Sequence, residues 1–130
     1  MGSQQLLTIV LGVFIAGLAI WTGVRLVRSM NQDNERDLVL HQITVIVGEA
    51  KKYASQPKSI GGGEGSFIGF TPINKLTNTS RVRLYITAGS DWLLVQGYGS
   101  VEGWDNTTPV SVIAQWDVAL NDFSTISNIN

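Results

Sequence analysis

Catalysis, metal ligation and phosphate binding each demand particular side chains at particular spacings, and this sequence offers few of them. His41 stands alone, with no cysteine and no second histidine to share a metal, so it reads as a surface or hydrogen-bonded histidine. Asp91, Asp105, Asp117 and Asp122 are of the type that ligates Ca²⁺, but no Asp-x-Asp-x-Asp spacing joins them and solvation is their expected state. The run Gly61-Gly62-Gly63-Glu64-Gly65 has the glycine content of a phosphate-binding loop without the Lys-Ser/Thr that completes one, and reads as a flexible hinge. No nucleophile has a plausible base, and no carboxylates are paired at a readable spacing. Neither an enzyme nor a cofactor-binding protein is expected. Asn78-Thr79-Ser80 and Asn106-Thr107-Thr108 fit the N-glycosylation acceptor pattern in expected loops, which makes Asn78 and Asn106 candidate modification sites.

The dense signal is apolar. Residues 6–21 read LLTIVLGVFIAGLAIW, and no charge appears until Arg25. Extended through Val24, the run reaches the roughly 18 to 20 residues with which a helix crosses about 30 Å of hydrocarbon. It is too long for the core of a secretory signal peptide, nothing basic precedes it, and Ala16-Gly17-Leu18-Ala19 is followed by further apolar residues. Nine Lys plus Arg against ten Asp plus Glu give a net charge of -1, so no basic field points to a nucleic-acid partner. Every cation lies at or before Arg83, whereas Asp91, Glu102, Asp105, Asp117 and Asp122 follow it. With no cysteine, the fold rests on packing alone.

These segments require elements to carry them. One long helix is expected from Leu6 to about Tyr53, because no proline interrupts it. At 1.5 Å per residue it would be roughly 70 Å long. After Arg28 the stretch SMNQDNERD reads as a wet helix surface leaving the hydrocarbon. Val39, Ile43, Ile46 or Val47, Ala50 and Tyr53 then recur three to four apart, one face of an amphipathic helix. The β-branched run 43–47 also has strand propensity, but its periodicity favours helix. Gln56-Pro57 ends the helix. Beyond it Val82, Leu84 and Ile86 alternate with Arg83, Tyr85 and Thr87 as in a half-buried strand, and a turn at 88–91 leads to a second strand at 92–98. Residues 67–70 are read as a short strand before this hairpin, and 109–116 as one after it. The fold class is therefore α+β: a long N-terminal α-helix whose C-terminal half packs on a small antiparallel β-sheet of three or four strands. Four segments follow: an apolar helix at 1–28, its amphipathic continuation at 29–56, a Gly-rich connector at 57–66, and a β-sheet head at 67–130.

In its first 28 or so residues the chain resembles the type IV pilin superfamily, which includes major pilins and the pseudopilins of type II secretion. Met1-Gly2-Ser3-Gln4-Gln5-Leu6-Leu7 looks like a mature pilin start: an apolar first residue, a short polar run, then the hydrophobic stretch. The resemblance implies a leader removed by a prepilin peptidase and N-methylation at Met1. The family places Glu at the fifth mature position, where it neutralises a neighbouring subunit's N-terminal amine; here Gln5 offers a carbonyl dipole instead. The family's C-terminal cysteine pair is absent, and so is a proline near position 22. Gly12, Gly17 and Gly23 are the candidate points at which this helix would melt on assembly.

The implied function is structural. Subunits would wait in the inner membrane, be drawn out by pilus assembly machinery, and polymerise with identical subunits into an extracellular filament on the cell surface. Met1, Gln5, Leu6, Leu7, Ile9, Val10, Leu11, Val13, Phe14, Leu18 and Trp21 would form the assembly surface. The alternatives are a minor pilin or type II secretion pseudopilin, and a single-span membrane protein with a small accessory binding domain. Arg25 and Arg28 follow the apolar span, and on the positive-inside tendency they draw the C-terminal part to the cytoplasm. The filament reading needs the reverse orientation, with cations on a leader.

Overall fold

The computed structural model describes residues 2–103, 105 and 107–129. Helix α1 (Gly2–Ser55) is unbroken over 54 residues, about 80 Å at 1.5 Å per residue. From Gly2 to Asn31 every residue is exposed, and burial begins at Gln32. From there Gln32, Glu35, Val39, Ile43, Ile46, Val47 and Ala50 form a single buried stripe at three- and four-residue spacing. The stretch expected to be wet thus contributes two polar residues to the buried face. The expected β-branched segment is helical, because its apolar residues follow that stripe.

The stripe packs on a four-stranded antiparallel sheet of simple meander order: β1 (Arg83–Ala88), β2 (Trp92–Glu102), β3 (Pro109–Asp117) and β4 (Asp122–Ile129). Helix α1 contacts β2 and β3, the two central strands. The core between them holds Val39, Ile43, Ile46, Val47 and Ala50 from the helix and Leu84, Leu93, Val95, Val112, Ala114 and Trp116 from the sheet. The helix approaches closely where β2 lacks side chains. A Cβ on Gly97 would strike Val39 Cγ1, and one on Gly99 would come within 2.6 Å of Glu35 Cγ.

Two expectations are corrected. Residues 67–70 form turns, not a strand: Phe67 enters the core from a loop, with its N–H donating to the Ser90 carbonyl at 3.3 Å, while Phe70 tilts against Tyr53 at 5.7 Å between ring centroids. The fourth strand is instead β4, whose Phe123 meets Trp116 edge-on at 5.0 Å. The Gly-rich connector is not a free hinge either. After a 3-10 turn (Lys58–Ile60) it folds back on the end of α1, where the N–H groups of Gly63, Glu64 and Gly65 donate to the carbonyls of Tyr53, Gln56 and Ala54 at 2.9, 3.0 and 2.7 Å. Carbonyls that a helix end leaves unpaired are thereby satisfied. A Cβ on Gly63 would overlap the Ser66 carbonyl, so the run serves a compact cap.

Candidate functional site

The first candidate surface is the free half of α1. Leu6, Leu7, Ile9, Val10, Leu11, Val13, Phe14, Leu18 and Trp21 are all exposed, from 48 % at Leu18 to 70 % at Leu7. They cover somewhat more than half of the circumference, and Gly12, Ile15, Ala16 and Ala19, also uncharged and exposed, share the remaining arc with Thr8 and Thr22. A helix apolar on every side requires an apolar environment on every side. The helix is long and apolar enough to cross a membrane. Its two threonine hydroxyls are satisfied locally, Thr8 Oγ1 donating to the Gln4 carbonyl at 2.9 Å and Thr22 Oγ1 to the carbonyls of Leu18 and Ala19 at 2.9 and 3.0 Å. A hydroxyl paired in this way costs little to remove from water. At the polar end of the span, the Arg25 guanidinium lies 3.9 Å from the Trp21 ring centroid, an aromatic-cation pair suited to an interface between apolar and aqueous phases.

Gln5 is exposed on this segment, and α1 runs straight through Gly12, Gly17 and Gly23. A Cβ at any of the three glycines would meet open space, so none is required by packing within the subunit. Met1 and Asn106 lie outside the described residues. Asn78 is exposed and follows the short helix α2 (Asn74–Thr77), its N–H bonded to the Asn74 carbonyl at 3.0 Å. His41 is exposed on α1. Asp117 faces Asp122 across the β3–β4 turn, while Asp105 sits near the opposite end of the sheet. There its carboxylate accepts hydrogen bonds from the Thr108 hydroxyl and N–H and from the Thr107 N–H, which hold its pKa well below the usual carboxylate range.

The second feature escaped the sequence reading. Glu35 is fully buried where the free half of α1 meets the sheet. Its Oε1 accepts from the Ser100 N–H at 2.8 Å and the Ser100 hydroxyl at 2.7 Å, and its Oε2 from Arg81 Nη2 at 2.9 Å. A break in the β2–β3 register between Tyr98 and Glu102 accompanies the turn of Ser100 toward the helix. Burial pushes the Glu35 carboxyl up, but the two Ser100 hydrogen bonds and the Arg81 charge outweigh it and hold the pKa below its ordinary value. One turn earlier, the Gln32 amide donates to the Glu102 and Gly103 carbonyls at 3.0 and 3.1 Å. Helix α1 is thus tied to the sheet by polar bonds at the point where its apolar half departs. The signal was available: stepping back four and seven residues from Val39 lands on Glu35 and Gln32.

No family model, curated protein or solved structure matches the chain.

Proposed function

We propose that this chain is the structural subunit of a type IV pilin-like helical filament, held together by its apolar N-terminal helix. The supporting observation is the unbroken exposure of residues 2–31 on a helix whose other half is packed on the sheet. Such a surface is stable in lipid before assembly and against copies of itself afterwards. Burying half of a roughly 20-residue apolar helix at about 25 cal/mol per Å² contributes on the order of 10 to 20 kcal/mol per subunit before association entropy. The cluster of Glu35, Arg81, Ser100 and Gln32 would transmit load between the helical core and the head. Leu11→Asp tests this reading. Electron microscopy should find no fibres from the variant, while circular dichroism reports a folded head; fibres of normal length would refute the proposed core.

A second reading has its own observation. The Trp21–Arg25 pair, followed by Arg28, forms a belt at the end of the apolar span suited to a lipid headgroup region. It favours a single-span membrane protein whose head acts as an accessory module. The two readings separate on whether wild-type subunits leave the bilayer for a fibre.

A further inference from the structure

A sizeable cavity opens on the head. About 660 Å³ in volume, it lies among residues 78–80, the outward-facing Arg83, Tyr85 and Tyr98 of β1 and β2, and Arg81 and Ser100 at the edge of the Glu35 junction. Arg81, Arg83, Tyr85, Tyr98, Ser100 and Thr79 are among the residues lining it. Register explains the gathering: Leu84 and Gly97 point to the helix, so Arg83, Tyr85 and Tyr98 point the other way, with Arg83 directly opposite Tyr98.

The chemistry of this lining is specific. Tyr85 and Tyr98 meet edge-to-face at 5.7 Å and 79°, yet remain 59 % and 36 % exposed, which leaves aromatic surface and phenol hydroxyls open to a ligand. The two guanidiniums have different duties. Arg81 is committed to the buried Glu35 carboxylate, so that pair carries no net charge, while its exposed side still presents N–H donors to the cavity. Arg83 makes no ion pair among the described residues and supplies the cavity's one net positive charge. These are also the last two cations in the sequence, on a head otherwise dominated by acids.

We propose that this cavity binds a carboxylate-bearing sugar. Arg83 takes the carboxylate through paired N–H donors, the tyrosine rings stack against the C–H face of the sugar, and the Ser80 hydroxyl with the free N–H groups of Arg81 meets its hydroxyls, while the Thr79 hydroxyl stays bonded to the Val82 backbone. One net positive charge matches one carboxylate per ring. With Arg81 already paired to Glu35, the lining offers a doubly charged phosphate a single uncommitted cation.

The test uses the full chain in detergent micelles, titrated with trigalacturonate and with neutral trigalactose, and read by calorimetry and amide chemical shifts. Trigalacturonate should bind and shift the amides of Arg83 and Tyr98, and trigalactose should bind at least about tenfold more weakly. Arg83→Gln, a change on an exposed side chain that leaves the core intact, should weaken trigalacturonate by about tenfold or more, with Arg83→Lys intermediate because it lacks the paired donors. Tyr85→Ala should weaken both sugars. Equal binding of the two, failure of both to bind, or a match to trigalacturonate by inorganic phosphate or a polyglutamate peptide would each overturn the assignment. Binding is read on single subunits, so its failure is distinguishable from a failure of filament assembly.

Discussion

At the scale of single residues, Glu35 is the side chain on which the junction between helix and head depends. Replacing it with alanine removes the charged acceptor shared by the Ser100 N–H, the Ser100 hydroxyl and Arg81 and empties a fully buried position, and hydrogen bonds to a charged group are worth about 1.5 to 3 kcal/mol. Arg81→Ala should cost less, because the carboxylate keeps both Ser100 donors and Arg81 itself is largely exposed. Urea denaturation of the two variants in micelles should rank them in that order. The reverse ranking would mean that charge pairing, not the Ser100 bonds, holds the junction. Acid gives a second readout at this residue. Since the folded-state pKa of Glu35 is depressed, its contribution is present above the ordinary value of 4.5 and is lost as pH falls through the lowered value. Wild-type stability should therefore fall on acidification below that ordinary value, and Glu35→Gln should flatten this part of the profile, measured by thermal melts across the acid range.

Among the secondary-structure elements, the contact of α1 with β2 turns on absent side chains. Gly97→Val would drive a branched side chain into Val39 and Leu84, and overpacking of this kind typically costs about 1 to 3 kcal/mol. The loss should appear as a lowered melting temperature with the secondary structure retained. Gly12, Gly17 and Gly23 present the opposite case, since alanine there meets open space and gains about 1 kcal/mol each in helix propensity. Replacing all three should leave head unfolding unchanged while slowing or blocking fibre growth; fibres that form normally would remove the glycines from any assembly role. Legibility in the sequence divides along the same elements. Helix α1 and strands β1 to β3 were readable because their apolar residues repeat at the period of the element, as in Val82-Leu84-Ile86. Strand β4 was not, because it is rich in Ser, Thr and Asn and is held chiefly by backbone pairing to β3, with Phe123 as its half-buried anchor. Residues 67–70 misled in the other direction: their sequence reads as a short strand, whereas a loop delivers Phe67 to the core.

On the scale of the whole molecule, the protein divides its apolar surface between two uses. One portion is spent within the chain, in the layer between α1 and the sheet. The other is left open along residues 2–31. Composition and run length made that division legible before any coordinates, because no helix without a charge from Leu6 to Val24 can be covered by so small a sheet. The cavity on the head was not legible. Arg83, Tyr85 and Tyr98 are ordinary outward-facing strand residues in one dimension, and only the pairing of β1 with β2 brings them together. The Glu35 junction fell between these cases, since its spacing was visible but its polarity disguised it as surface.

The absence of cysteine allows a single probe to decide what covers the open helix. A nitroxide attached at Val13→Cys should lose contact with both water and lipid when native material is assembled, and its spectrum should broaden from neighbouring labels in adjacent subunits. A label that stays lipid-exposed and magnetically isolated under every native condition would contradict the proposed filament core.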